Sequence, residues 1–262
     1  MAKRGEIFRR ETKICVLDRL IGRAAVSPSE LSDALGVSRV TLSILLDELV
    51  DSGLLTRQSE RSYSLLPSGR AVILRMGVES AELITTDLCG ASVQRTPMKL
   101  IASMSYTDNA ARLLNIAERH AAEISAEGCE PYCALICYGE LPERSIPKSF
   151  SLLSGEEMLS KGLSRYDGAV LYLDGADRTS YLTLDGRMVA SGRMSEKVAS
   201  EMRSALGLMK PQRVMLAGAD ETTRESAENA VLFRGAEFSF IEPSELRPDE
   251  RAALLSLMEK RI

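Results

Sequence analysis

Residues 27–55 carry the local signals of two short helices joined by a tight turn. Residues 27–30 (SPSE) predict a capping box, with proline at the first helical position. Gly36 suits the turn because glycine adopts positive φ without steric cost. Ser38 is then expected to cap a second helix that ends near Gly53. Six apolar residues recur at helical spacing and would pack the two helices together: Leu31, Leu35, Val37, Leu42, Leu45 and Leu49.

A short hairpin is predicted directly after the second helix. Residues 54–57 and 62–66 have strand-like patterns around a polar tip. Such a β-wing would carry Arg57 at its base and Arg61 at its tip. With an apolar helix upstream, this order predicts that residues 1–70 form a winged helix-turn-helix domain.

The second helix of this head is the element expected to enter a major groove of double-stranded DNA. Arg39 is the long donor at its start and would fork onto a guanine. The expected groove residues are Ser38, Arg39, Val40, Thr41, Ser43 and Ile44. The wing arginines Arg57 and Arg61 would contact phosphates or the minor groove. A homodimer is expected because paired half-sites double the DNA contacts.

Charge is divided unevenly along the chain. Residues 1–75 carry 12 Lys and Arg against 9 Asp and Glu, whereas the remainder carries 21 against 28. A mildly basic head on an acidic body favours a protein whose head alone meets nucleic acid. The second helix nevertheless holds Asp47, Glu48 and Asp51 beside a single base. A winged helix that serves only for protein contacts is therefore the alternative.

Membrane, metal and catalytic functions are not expected from this sequence. No apolar run is long enough to span a bilayer and the N-terminus has no apolar signal core, so we expect a cytoplasmic protein. Cys129, Cys133 and Cys137 are evenly spaced, but they accompany a strand-like run, and the single histidine, His120, lies in a separate predicted helix. Buried thiols and no metal site are predicted. We expect no catalytic residues and no cofactor.

Residues 71–262 repeat one order of elements. Two lobes, about 71–140 and 163–262, each show the order β-β-β-α-β, which indicates an internal duplication in an α/β protein. The predicted strands are 71–75, 81–87, 92–101 and 132–138 in the first lobe, and 169–174, 179–184, 188–191, 213–217 and 237–241 in the second. The predicted helices are 108–125, 195–206, 221–232 and 248–260. Residues 139–162 are expected to form only a short link.

This duplicated order behind a winged helix resembles the ROK family of repressors, uncharacterised proteins and sugar kinases. Residues 71–98 (AVILRMGVESAELITTDLCGASVQRTPM) are similar to the family's opening hairpin with its Asp-Leu-x-Gly turn. Residues 168–192 (GAVLYLDGADRTSYLTLDGRMVASG) are similar to the strand-loop-strand that opens the second lobe. The resemblance implies a ribonuclease-H-like, actin-like ATPase fold for the body. It also implies a DNA-binding transcriptional regulator, specifically a repressor.

The chain departs from the family's kinase members at both phosphate loops. Those members carry Asp-x-Gly-Gly-Thr in the first hairpin, where residues 75–80 here are RMGVES. Their second loop, Gly-Thr-Gly-Ile-Gly, is replaced by residues 174–179 (DGADRT), whose acids would repel a triphosphate. The family's zinc motif and its Glu-x-Gly-His sugar contact are missing. We expect a degenerate body that is not an enzyme; a sugar kinase, or a pseudo-enzyme that acts only through protein contacts, is the alternative.

A small-molecule effector would be expected in the cleft between the lobes, because actin-like folds close two lobes on their ligand. The residues expected at its lips are Gly77, Glu79, Asp174, Asp177, Gly218 and Asp220. The alternative is a body that binds no ligand and serves as a platform for dimerisation.

Overall fold

Two five-stranded sheets of the same topology form the frame of the body. The computed structural model describes residues 2–59, 62–193, 210–218, 221–229 and 233–262. The described helices are α1 (Ala2–Leu20), α2 (Pro28–Leu35), α3 (Arg39–Asp51), α4 (Tyr106–Ala126), α5 (Gly155–Leu163), α6 (Glu221–Glu228) and α7 (Pro248–Glu259). The described strands are β1 (Leu55–Ser59), β2 (Ser62–Leu65), β3 (Gly69–Met76), β4 (Ala81–Asp87), β5 (Gln94–Met98), β6 (Glu130–Cys137), β7 (Phe150–Ser154), β8 (Ala169–Asp174), β9 (Thr179–Leu184), β10 (Arg187–Arg193), β11 (Arg213–Ala217) and β12 (Glu237–Ile241).

The head folds as a winged helix, as the capping signals predict. Ser27 Oγ accepts the Glu30 N–H at 3.2 Å, and the Glu30 carboxylate accepts the Ser27 N–H at 2.9 Å. Gly36 lies in the left-handed region at φ 62°, which turns the chain from α2 into α3. Ser38 caps α3, and β1 pairs with β2 as the antiparallel wing. The predicted helix-turn-helix and wing are confirmed.

The duplicated order of strands is also confirmed. The first sheet has the order β5-β4-β3-β6-β7 and the second β10-β9-β8-β11-β12. In each sheet the three consecutive strands are antiparallel, while the two later strands run parallel to the first. This is the ribonuclease-H-like arrangement. The Asp-Gly turn before β10 has positive φ at both Asp185 and Gly186, as a tight hairpin requires.

Three predicted elements differ most from the structure. The expectation of a short link over 139–162 is wrong, because β7 joins the edge of the first sheet and α5 follows it. The helix α4 begins at Tyr106, earlier than the predicted start at Asp108. Its cap is Ser105, whose Oγ accepts the Asp108 N–H at 3.1 Å. The strand β5 is shorter than 92–101. The predicted helix 195–206 lies outside the described residues.

The helices α5 and α7 lie between the two sheets. Leu159 and Leu163 of α5 join the apolar cluster of the second sheet. Apolar residues of α7 join the cluster that covers one face of the first sheet, although residues 163–262 are predicted as the second lobe. The two helices approach closely at Gly162, where a Cβ would lie 2.1 Å from the carbonyl oxygen of Pro248. Only glycine permits this contact.

The head and the body share one hydrophobic core. Leu17 and Leu20 of α1 are fully buried in the same cluster as Leu254 and Leu257 of α7. The backbone N–H at Gly22 also donates to the Cys89 carbonyl of the body at 2.6 Å. The junction near residue 70 is therefore a packed interface as well as a predicted domain boundary.

Candidate functional site

The start of α3 presents an exposed face away from the core of the head. Leu42, Leu45, Leu46 and Leu49 are buried on its inner side. On the outer side, Val40 is 73% exposed and Ile44 is 50% exposed. The expected groove residues Ser38, Arg39, Val40, Ser43 and Ile44 are all exposed, and Thr41 is half-buried beside the Ser38 cap. The structure thus brings the six residues together on one surface.

The base of the wing carries a cation that already has partners within the head. Arg57 donates from Nη2 to Asp47 Oδ1 at 2.8 Å and to the Tyr63 hydroxyl at 2.9 Å. The hydrogen bond from Arg57 to Tyr63 is the main cause of its raised pKa. Arg57 remains half exposed beside α3, so it can still reach a phosphate. Arg61 lies outside the described residues.

A second acid of α3 is tied to α1 rather than presented to a groove. Glu48 Oε2 lies 2.8 Å from Lys13 Nζ, and Glu48 also pairs with Arg9. The hydrogen bond from Lys13 is the main cause of the lowered pKa of Glu48. The acidic half of α3 thus serves partly to hold α3 against α1.

A buried ion-pair network lies between the two lobes. Arg75 is 1% exposed at the end of β3, and it donates to Asp174 Oδ2 at 2.6 Å and to Asp249 Oδ2 at 2.7 Å. The Tyr138 hydroxyl also donates to Asp249 Oδ2, at 2.8 Å. Burial alone would raise the pKa of Asp249, but the charge and hydrogen bond of Arg75 lower it below its ordinary value. The network joins the first lobe, the second lobe and α7.

The loop between β3 and β4 binds a carboxylate of the other lobe. Asp177 accepts the backbone N–H groups of Val78 at 3.0 Å, Glu79 at 2.7 Å and Ser80 at 3.1 Å. A Cβ at Gly77 would lie 2.4 Å from the Asp177 side chain, so this approach requires glycine. Successive N–H groups of this kind form an anion-binding concavity. Here the anion is Asp177 itself.

The predicted ligand lips therefore touch each other. Gly77, Glu79, Asp174 and Asp177 come together, with Asp174 and Asp177 fully buried. Gly218 lies next to Gly175, the residue after Asp174. A Cβ at Gly175 would lie only 2.8 Å from the Gly218 carbonyl oxygen. Asp220 lies outside the described residues. The structure brings the described lip residues together, and the side chains of Arg75, Asp174 and Asp177 lie between them.

Other candidate chemistry does not assemble in the described part of the chain. No group of three or more His, Cys, Asp and Glu side chains there is placed to hold a metal ion. His120 Nε2 lies 2.9 Å from Thr85 Oγ1, and burial raises the pKa of the Cys133 thiol to about 11. Across the ranges described, every helix is too short or too polar to span a bilayer.

The sequence predicted Asp174 at the cleft, but it did not indicate that Arg75 is buried there with Asp249 and Tyr138. Asp249 and Tyr138 lie far from it along the chain, and no local motif connects the three. The available signal was a single arginine inside the apolar strand 71–76 (AVILRM). A charge in such a strand requires a buried partner.

These features define a winged helix joined to a two-lobed, actin-like body. Residues 12–62 match the model of the MarR family. A solved ROK family transcriptional regulator, a homolog of the E. coli MLC protein, is 10% identical with a TM-score of 0.59, over 96% of this chain and 98% of that chain. Its similarity shows that the whole chain has this fold.

Two further solved structures match part of the chain with lower scores. The ethanolamine utilization protein EutJ from Carboxydothermus hydrogenoformans is 14% identical with a TM-score of 0.47, over 71% of this chain and 89% of that chain. A ROK family protein from Streptococcus pneumoniae, solved in complex with sucrose, is 8% identical with a TM-score of 0.37, over 73% of this chain and 98% of that chain. No curated protein matches the chain.

Proposed function

We propose that the protein is a DNA-binding transcriptional regulator that acts as a repressor. The exposed start of α3 is the observation that carries this proposal. The leucines on the inner side of α3 complete the core of the head, so Val40 and Ile44 are not needed on the outside for folding. In a major groove, both side chains would meet the methyl groups of thymines, while Arg39 would donate to a guanine.

Contacts to the phosphate backbone of the DNA would come from the wing, which lies beside α3. Arg57 is already positioned by Tyr63 and Asp47, and a phosphate would replace Asp47 as its anionic partner. We propose Arg61 for a phosphate or minor-groove contact as well. The protein binds as a homodimer in this proposal, because two half-sites multiply both affinity and specificity.

The body is proposed to have no kinase activity. A phosphoryl-transfer site needs space for the phosphates and a metal, together with donors around them. The N–H donors at Glu79 and its neighbours are occupied by Asp177, and Arg75 fills the adjoining space. The similarity of the whole chain to a transcriptional regulator supports the same view. A regulator of this kind would act in the cytoplasm.

Selection of binding sites from random genomic fragments tests the proposal. The full chain should enrich one sequence with two related halves, spaced by about one helical turn of roughly 10 base pairs. The Arg39→Ala variant should lose about 1–3 kcal/mol of binding free energy and relax the preference at one base pair. The matched control is Arg119→Ala, an exposed arginine of α4 in the body. Failure to enrich any sequence at low salt would overturn the proposal.

A further inference from the structure

A cavity of about 440 Å³ lies between the head and the body. Its walls come from α1 of the head and from α5 and α7 of the body. A second cavity of about 440 Å³ adjoins it, beside the end of α1. Arg165 and Arg251 line both cavities. Volumes of this size are typical of sites for small metabolites.

Two guanidinium groups share one carboxylate at this junction. Arg251 donates from Nη2 to Asp18 Oδ1 at 2.9 Å, while Arg165 Nε lies 3.9 Å from Asp18 Oδ2. The buried Nε of Arg251 makes no hydrogen bond. Burial lowers the pKa of Arg251, and the neighbouring charge of Arg165 adds to this effect. The site therefore carries more positive charge than its own acid neutralises.

The remainder of the first cavity reinforces the excess of positive charge and supplies an apolar wall. Arg19 adds a further base, whereas Lys161 is paired with Glu157 at 2.9 Å and Glu259 with Arg10 at 3.0 Å. Ile14 and Leu255 offer apolar contact. An anionic group would satisfy the arginines, and an organic portion would cover the apolar side chains.

We propose that this cavity binds a small organic anion, through a phosphate or carboxylate group held by Arg165 and Arg251. The cleft between the lobes is a poorer place for such a ligand, because Asp177 and Arg75 occupy it. Arg165 is the main free contact, since it is 45% exposed and its pairing with Asp18 is long.

Binding at this place would reach the head through Arg251. That side chain also donates to the backbone carbonyls of Asp18 at 2.6 Å and Ile21 at 3.2 Å, which cap the C-terminal end of α1. An anion that competes with Asp18 for Arg251 changes how α1 is held against the body. The effect on DNA affinity equals the differential affinity of the anion for the DNA-bound and free arrangements. This regulatory part rests on the proposed function; the binding part does not.

Calorimetric titration of the full chain with glucose 6-phosphate, succinate and inorganic phosphate tests the binding part. At least one of these anions should bind saturably with one site per chain, and neutral glucose should not bind. The comparison of sugar phosphate with dicarboxylate identifies the anionic group. Arg165→Gln should weaken binding roughly 10-fold or more, as expected for loss of a charge-assisted hydrogen bond. Arg119→Gln, on the exposed face of α4, should leave it unchanged.

Alkylation of Cys15 provides a second readout at the same site. Its thiol is exposed and lines the cavity. Bound anion should slow its reaction with a maleimide, followed by peptide mass spectrometry, and Arg165→Gln should abolish this protection. The proposal is overturned if none of the three anions binds up to millimolar concentration, or if Arg165→Gln binds as tightly as the parent chain.

The regulatory part has a separate test. The affinity for a selected DNA site should change about 5-fold or more when the anion that binds is added, and this change should disappear in Arg165→Gln. Anion binding without any change in DNA affinity would overturn the regulatory part only. If the full chain binds the anion but binds no DNA sequence specifically, the proposed function is contradicted and the binding part stands.

Discussion

The backbone N–H of Glu79 in the first lobe donates to Asp177 Oδ1 in the second lobe at 2.7 Å. The N–H groups of the two neighbouring residues bind the same carboxylate. The loop that stands where the sugar kinases carry their first phosphate loop is thereby closed by a side chain of its own protein. These three hydrogen bonds hold the first lobe against the second.

Removal of the Asp177 carboxylate should open this contact. Asp177→Ala leaves three N–H donors without their acceptor, so we expect a loss of about 2–3 kcal/mol in the free energy of unfolding, measured with urea. Inorganic phosphate should restore stability to this variant more than to the parent chain, because it can occupy the vacated concavity.

The matched control for this experiment is Asp167→Ala, which removes an exposed carboxylate from the second lobe. It should change the free energy of unfolding by no more than about 0.5 kcal/mol. Equal stability of Asp177→Ala and Asp167→Ala would contradict the role given to Asp177.

The buried guanidinium of Arg75 should be essential for stability. Arg75→Met keeps the volume but leaves Asp174 and Asp249 without their shared cation, which should cost about 3–5 kcal/mol. Arg75→Lys should recover only part of this loss, because one ammonium cannot reproduce the two directed bonds. Thermal and urea unfolding of the parent chain, Arg75→Lys and Arg75→Met measures the order of their stabilities. An Arg75→Met variant as stable as the parent chain would contradict the role given to Arg75.

Acid should weaken the same network through Asp249. The pKa of Asp249 is lowered in the folded protein, so its contribution to stability is present above the unfolded pKa of about 3.9. That contribution is lost as the pH falls through the folded pKa. Asp249→Asn should therefore be less stable than the parent at neutral pH, and the difference should shrink below about pH 4. A difference that is constant from pH 7 to about pH 3 would contradict this assignment.

Removal of Asp47 should strengthen DNA binding. Asp47→Ala takes a negative charge from the exposed face of α3 and releases Arg57 for a phosphate. Affinity for all DNA sequences should rise, because Arg57 no longer has to exchange Asp47 for the phosphate. The number of phosphate contacts is unchanged, so the slope of log affinity against log salt should stay the same. Fluorescence anisotropy over a salt series measures both. Asp167→Ala has the same net charge but lies in the body, so it should not raise the affinity.

Local signals predicted the elements that local interactions determine. The capping residues of α2 and α3 specify those helices within a few positions of the chain, and they are found as expected. The helix α5 escaped prediction because residues 155–163 (GEEMLSKGL) contain few apolar positions and two glycines. Its place is set by the close approach of Gly162 to Pro248, a contact between distant parts of the chain.

The interior of the cleft was unpredictable for a related reason. Arg75 is separated from Asp174 by 99 positions and from Asp249 by 174. The arginine within an apolar strand indicates a buried partner, but no local motif identifies Asp174 and Asp249 as its partners. Only the folding of α7 back against the first sheet shows that they form one buried group.

The position of α7 also affects how the protein is made. The buried surface of α1 is completed by residues 248–259, so the DNA-binding head docks only after that helix has been synthesised. A ribosome-bound chain that has reached only the second sheet lacks the surface of α7 against which α1 packs, and incomplete apolar interfaces of this kind favour aggregation. Transplanting the head onto another body would require the matching surface of α7 to travel with it. The DNA-binding head and the body therefore form one structural unit.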